Sequence, residues 1–460
     1  METDPENWSV TQLKKRLEKK SISAQLVLES YLKKIKKKNA EINALISILP
    51  ENQLYKMASK VDQARARGDK LPTLAGIPIA IKDLTDTKGI LTTYGSKIFF
   101  QNTPKTDDPM VQNLKKAGLM IIGKTNTPEF GVGSQTFNTI FGATKNPFDL
   151  SKTSGGSSGG GAAAVASGMI PFSDGSDMMG SLRNPAAFNN IYGFRPTPSL
   201  MPSSDTLLKN FPRLSTIGAM AKSPDDLVLL LQAQYGNIEK TAFSLPKLDL
   251  KNGKIKIAWL QDFSGSYPLE NGIISMCEKV LGKFDNIGAS ITPFSPEFKA
   301  EDIWDSWVNL RSATIANNMK PHYESPKRRP LLKSEIIWEI ERGNSLCRKK
   351  IELSLEKQSL WLKYTQLIFD EFDFFALPST QVFPFDHKIH YPKTINKIKL
   401  DTYHRWMEVV VPASLSGLPV ASIPCGFNKN GLPTGIQIVG NKYKDKNILA
   451  LSKYFHEKFN

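Results

Sequence analysis

The sequence predicts an α/β protein in which helices flank a sheet. Short apolar runs of strand length, 77–81 and Met120-Ile121-Ile122, alternate with helical stretches and glycine-rich loops. The stretches between them carry apolar residues at helical spacing. No uninterrupted apolar run reaches the roughly 18 residues of a spanning helix, so no membrane span is expected. The 460 residues are 40% hydrophobic and 23% charged, values ordinary for a soluble globular chain with a large core.

Residues 8–70 read as mainly helical, with lysine-rich polar faces. Ser21-Ile22-Ser23-Ala24 is a helix start, because a serine side chain can satisfy free backbone amides. Leu26, Val27, Ser30, Tyr31 and Ile35 follow at helical spacing. From about 74 to 200 the strand–loop–helix texture takes over. Residues 222–236 form an amphipathic helix opened by Ser223-Pro224-Asp225-Asp226. A strand is expected over 254–260, a helix over 273–284, and a helix-rich, aromatic stretch over 300–370. Core strands follow at 374–378, 420–424 and 435–440, with a final helix from about Asp445.

The net charge of +16 raises the question of nucleic acid. Lysines cluster at Lys33-Lys34-Ile35-Lys36-Lys37-Lys38, with a smaller group at Lys327-Arg328-Arg329. A nucleic-acid surface would add stacking aromatics or a recognisable module, and neither is present. The lysine run reads as a solvated helix face. Cys277, Cys347 and Cys425 are odd in number and far apart in sequence, which speaks against a disulfide framework and for a reducing cytoplasm. The polar start, Met1-Glu2-Thr3-Asp4, lacks a secretory pattern.

Gly155-Gly156-Ser157-Ser158-Gly159-Gly160-Gly161 admits three readings. A phosphate loop needs Gly-Lys-Ser/Thr after the glycines, but Lys152-Thr153 precede them. A flexible linker would not run into the helix-forming 162–166. A hydrolase elbow, G-x-S-x-G, needs a strand before it, and 146–151 reads as a turn. That elbow also needs a histidine. His322, His387, His390, His404 and His456 lie in no catalytic pattern, and His387 with His390 lacks a third metal ligand. Ser181 follows an apolar run at 169–172 and a polar turn. It precedes Asn184-Pro185, an N-cap and first-turn pair. It therefore lies near a helix start, where free amides gather and can hold an oxyanion. By itself, it could equally be a turn serine.

Three segments taken together carry more. They are Gly76-Ile77-Pro78-Ile79-Ala80-Ile81-Lys82-Asp83, the Ser157 loop, and Asp177-Met178-Met179-Gly180-Ser181-Leu182-Arg183-Asn184-Pro185-Ala186. Their order and spacing resemble the amidase signature family. So do Gly123–Phe130, Gly193–Thr197, Ser416–Val420 and Gly431–Gln437. The resemblance runs from about residue 10 to the C-terminus, weakest over 240–370.

The resemblance implies a large mixed twisted sheet covered on both faces by helices, in one domain over 1–460. Its parts would be a helical region (about 1–70), a catalytic core (about 71–240), a variable substrate-shaping region (about 241–400) and a returning C-terminal part (about 401–460). It implies Ser181 as nucleophile, Ser157 as relay after a cis bond from Gly156, and Lys82 as base. It places an oxyanion hole at the backbone amides of Met178, Met179, Gly180 and Ser181, with Gly156, Ser158, Asp177 and Arg183 in support. Burial must then lower the Lys82 pKa, and Asp83 must point elsewhere.

The implied reaction is hydrolysis of an amide C–N bond in a small molecule through an acyl-serine. It calls for no cofactor or metal. A homodimer fits the reading, and no nucleic-acid partner is expected. Two alternatives stand beside it. One is the glutamine-hydrolysing subunit of a tRNA-dependent amidotransferase, although 320–400 shows no match to its glutamine-recognition segment. The other is a non-catalytic binding protein that retains the fold, prompted by Met179 where the family commonly has glycine. Met178 and Met179 suit either packing or an acyl pocket. Trp304, Trp307, Trp338, Trp361 and Trp406 suit core more than pocket.

Overall fold

The computed structural model describes residues 4–202, 213–236, 245–246 and 255–459. At its centre lies a mixed sheet of eight strands. Their spatial order is Ala289–Pro293, Ile255–Trp259, Phe374–Pro378, Pro433–Gly440, Val420–Phe427, Tyr192–Arg195, Thr216–Ala221 and Phe172–Asp177. Ile255–Trp259 is parallel to both neighbours, and the other pairs are antiparallel. Lys254, the expected start of that strand, lies outside the described residues.

Successive side chains of a strand point to opposite faces, and here each face has its own core. Ile257, Trp259, Phe374, Ala376, Ile436 and Ile438 enter one. Ala258, Phe375, Leu377 and Val439 enter the other. Helices Pro224–Tyr235, Ile273–Asn286 and Asp445–Phe459 close the first core. Helices Ala300–Tyr323 and Arg348–Glu371 close the second. Burial on both faces is why these strands read as near-continuous apolar runs. Trp304, Trp307, Trp361 and Trp406 are buried in the second core, while Trp338 is half-buried at its margin.

A second sheet has three strands, Leu45–Ile46, Met120–Thr125 and Pro78–Lys82. The last two are parallel. The Lys82 amide donates to Asp174 Oδ1 at 2.9 Å, which ties this sheet to the Phe172–Asp177 edge of the large one. Lys82 therefore sits where the two sheets meet.

The expected helix starts are present. Ser23 Oγ accepts from the Leu26 amide at the head of Ala24–Ile42, and Ser223 Oγ accepts from the Asp226 amide at the head of Pro224–Tyr235. On Ala24–Ile42, Val27, Leu28, Tyr31 and Ile35 are buried while Lys33, Lys36 and Lys37 are exposed. No described helix is long and apolar enough to cross a membrane, and the three cysteines are free thiols.

Two local expectations are corrected. Residues 146–151 are not simply a turn: Lys145–Asn146 and Asp149–Thr153 pair as a hairpin, with Pro147-Phe148 at its bend. The supposed polar turn before Ser181 is the strand Phe172–Asp177. Asp174 and Ser176 meet Lys82 across the sheet junction, and Asp177 is held by Arg183.

Candidate active site

Lys82 ends a strand that is buried along its length. Its Nζ lies 2.8 Å from Ser157 Oγ, 2.8 Å from Ser158 Oγ and 3.0 Å from Ser176 Oγ. Burial drives its pKa down to about 7, against the opposing pull of Asp174 and Asp177. Asp83 does not face this amine. Its carboxylate accepts from the Thr93 amide at 3.1 Å and from Thr93 Oγ1.

Ser157 follows a cis bond from Gly156. Its carbonyl accepts from Thr127 Oγ1 at 3.1 Å. The helix Gly159–Ala166 then begins against other backbone, and a Cβ at Gly160 would collide with the Asn126 amide. The glycine run thus serves close approach as well as the turn.

Ser181 lies between the strand Phe172–Asp177 and the short helix Arg183–Phe188. It is half-buried. Its carbonyl accepts from the Ser158 amide at 3.3 Å. Its Oγ makes no hydrogen bond among the described residues. Lys82 and Ser157 are therefore joined by side chains, whereas Ser181 meets the serine pair through its backbone.

Asp177 organises the loop that carries Ser181. Its Oδ1 accepts from the Gly180 amide at 2.8 Å and from Arg183 Nη2 at 2.9 Å. Its Oδ2 accepts from the Leu182 amide at 3.2 Å and from Arg183 Nε at 3.0 Å. Burial alone would raise its pKa, but the Arg183 and Arg195 guanidiniums outweigh that and hold it at about 2. Arg183 Nη1 also donates to Val410 O and Gln437 Oε1, and its Nη2 donates to Ser414 Oγ. The expected Asp177–Arg183 brace is therefore present, anchored to the C-terminal strand.

The loop corrects two expectations. The Gly180 amide is taken by Asp177, so it is not free to hold an oxyanion. The contribution of Gly180 is its φ of +75° and the absence of a Cβ, which would press on Val410. The amides of Met178, Met179 and Ser181 carry no such partner among the described residues. Asn184 is not an N-cap. Leu182 holds that position, and Asn184 Oδ1 instead accepts from the Gly156 amide at 3.3 Å. Met179 needs no positive φ and is buried in the second core, so a side chain is tolerated there. Met178 is half-buried, with Arg311 Nη1 3.2 Å from its Sδ.

Sequence reasoning missed Asp174 and Ser176. They sit two residues apart on the strand, hence on one face, and that face meets Lys82. The alternation was readable in Asp174-Gly175-Ser176, but only a strand makes it meaningful. Gln437 and Ser414, which hold Arg183, gave no local signal. Among the histidines, His404 is buried, with its pKa lowered to about 3 by desolvation against the pull of Glu339. Among the described residues no group of three or more His, Cys, Asp or Glu could hold a metal.

The Amidase family model matches residues 26–449. A glutamyl-tRNA(Gln) amidotransferase subunit from Alkaliphilus metalliredigens is 30% identical over 96% of this chain and 95% of that protein. A glutamyl-tRNA(Gln) amidotransferase subunit from Clostridium acetobutylicum is 32% identical over 97% of this chain and 98% of that protein. The crystal structure of a bacterial aryl acylamidase of the amidase signature enzymes superposes with a TM-score of 0.88. It is 24% identical and covers 98% of this chain and 96% of its own, a likeness of fold. Matched along nearly its whole length, the chain belongs to the amidase signature family, and it is an enzyme acting on an amide C–N bond.

Proposed function

We propose that this enzyme hydrolyses a small carboxylic amide through an acyl-Ser181 ester, with Ser157 as proton relay and Lys82 as base. The observation that carries the reading is the buried amine 2.8 Å from Ser157 Oγ with a pKa near 7. A lysine that is neutral at physiological pH can accept a proton, which an ordinary lysine cannot.

Ser181 Oγ attacks the carbonyl carbon and gives its proton to Ser157, which passes its own to Lys82. The oxyanion rests on the amides of Met178, Met179 and Ser181, which have no partner among the described residues. The proton then returns through Ser157 to the leaving nitrogen, the C–N bond breaks, and ammonia or an amine departs. Water attacks the ester by the same route and regenerates Ser181. The Ser181–Ser157 contact closes when substrate is bound, as catalytic hydrogen bonds tighten in the occupied site.

Ser181→Ala is expected to lower kcat by about 10⁴-fold or more and to abolish labelling by a fluorophosphonate probe, with the circular dichroism spectrum unchanged. Hydrolysis at the wild-type rate by that variant would remove the nucleophile. The names of the curated relatives favour a second reading, glutamine hydrolysis as part of an amidotransferase. Glutaminase activity that depends on a co-purifying second protein would select it. Hydrolysis of simple anilides by the isolated chain would select the first.

A further inference from the structure

Lys333, at the head of the helix Ser334–Asn344, is the cation that the proposed mechanism leaves unused. Its backbone amide donates to Glu129 Oε2 at 2.9 Å. Its ammonium does something different. Among the described residues Lys333 Nζ has no hydrogen bond and no carboxylate within 4.0 Å. The nearby carboxylates are committed elsewhere. Glu129 Oε1 accepts from Ser96 Oγ at 2.6 Å, and Glu335 engages His390 Nδ1 at 3.2 Å and Ser334 Oγ at 3.1 Å. Burial pushes the Lys333 pKa down. Glu335 and Glu129 pull the other way from beyond contact distance, yet no carboxylate touches the ammonium, and a partly desolvated cation without a contact partner is costly.

The position of this cation is informative. A side chain on Gly133 would collide with Lys333 Nζ, and one on Gly131, two residues back, would lie 3.6 Å from Ser157 Oγ. Chain geometry therefore keeps the ammonium within about 16 Å of the relay serine. Lys333 also lines a cavity of about 210 Å³ with Lys97, Glu129, Phe137 and Asn138. Lys97 likewise has no carboxylate partner among the described residues. Asn138 ties the cavity to the site: its Nδ2 donates to Thr127 O at 2.8 Å, and Thr127 Oγ1 donates to Ser157 O at 3.1 Å. Two unpaired lysines face one carboxylate whose oxygens are already held.

We propose that this cavity anchors a carboxylate of the substrate on Lys333, with Lys97 as a second cation. The preferred substrates are then amides that bear a free carboxylate remote from the scissile bond, such as half-amides of dicarboxylic acids. This deepens the amidase reading and rests on it for the identity of the reacting bond. Binding energy from such a remote group can be used to hold the reacting carbonyl in place.

The test uses binding, so it does not depend on turnover. The 4-nitroanilides of glutaric and adipic acid, each with one free carboxylate, are titrated calorimetrically into the Ser181→Ala protein. The neutral pentanoyl and hexanoyl 4-nitroanilides are titrated alongside. The acidic ligand is expected to bind about tenfold more tightly or better at one of the two lengths. Adding Lys333→Met should bring the two Kd values to within about twofold of each other, and Lys333→Arg should keep the difference. No preference in the Ser181→Ala protein, or a preference that Lys333→Met leaves intact, overturns the proposal. The catalytic reading is tested apart, by wild-type turnover of the neutral anilides and its loss in Ser181→Ala.

Discussion

At the scale of the residue, the proposed chemistry depends on one lysine being unlike other lysines. Lys82 is encased in strand and serine hydroxyls, and burial brings its pKa to about 7. The proposed base is the neutral amine, so the sign of the pH dependence follows. Activity is present above about pH 7 and lost as the amine takes a proton below it. kcat/KM for a neutral anilide is expected to fall about tenfold per pH unit below that point and to level off above it. Initial rates from pH 5.5 to 9 check this, and a profile flat down to pH 5.5 would rule Lys82 out as base. The lysine and both serines were legible in the sequence because motif and spacing survive without coordinates. The direction of Asp83 was not: it is the turn residue just past the end of the strand, and that Thr93 claims its carboxylate is a tertiary fact.

At the scale of the element, the loop that carries Ser181 is held by a buried carboxylate. Asp177 receives two backbone amides and a bidentate Arg183, and both side chains are fully buried. Removing one partner of such a pair leaves the other charge uncompensated, which costs about 3–5 kcal/mol. Asp177→Asn is therefore expected to lower the urea midpoint and to cripple turnover together. An unchanged midpoint would show that the brace contributes little. The sequence predicted this pairing but misread the element that bears it. Ser173-Asp174-Gly175-Ser176-Asp177 has the composition of a turn. It forms an edge strand because Lys82 and Ser158 wait on one side to satisfy its polar groups. Asn184 was misread for a related reason. Local rules make Asn a cap, yet the Gly156 amide, 28 positions away in sequence, claims its oxygen.

At the scale of the whole molecule, two cores share one sheet, and a buried histidine packed on Trp304 of the second makes stability depend on pH. His404 is buried beside Glu339 and Arg311, at 3.7 Å from the Glu339 carboxylate. The unfolded imidazole takes a proton near pH 6.5, whereas desolvation holds the folded one to about 3. Its contribution is full above pH 6.5 and drains away as pH falls toward 3. Between pH 6.5 and 4 that is about 3 kcal/mol. A His404→Asn variant should lose less stability than the wild type over this interval, read as urea midpoints at the two pH values. Equal losses in the two proteins would discard the claim. The activity loss near pH 7 should precede this unfolding, with the circular dichroism signal intact.

The sequence alone determined the α/β class, most element positions and the family resemblance, and it singled out Lys82, Ser157 and Ser181 as candidates. These are local or ordered patterns: periodicity, caps and motif spacing. Only the tertiary structure decided that Asp174 and Ser176 join Lys82, that Asp177 consumes the Gly180 amide, and that Lys333 stands unpaired, among the described residues, beside the loop next to Ser157. The first and last depend on which distant groups burial brings together, across 92 residues for Lys82 and Asp174 and 204 for Lys333 and Glu129, and the second on how a loop folds back over three residues; none of these leaves a trace in local composition.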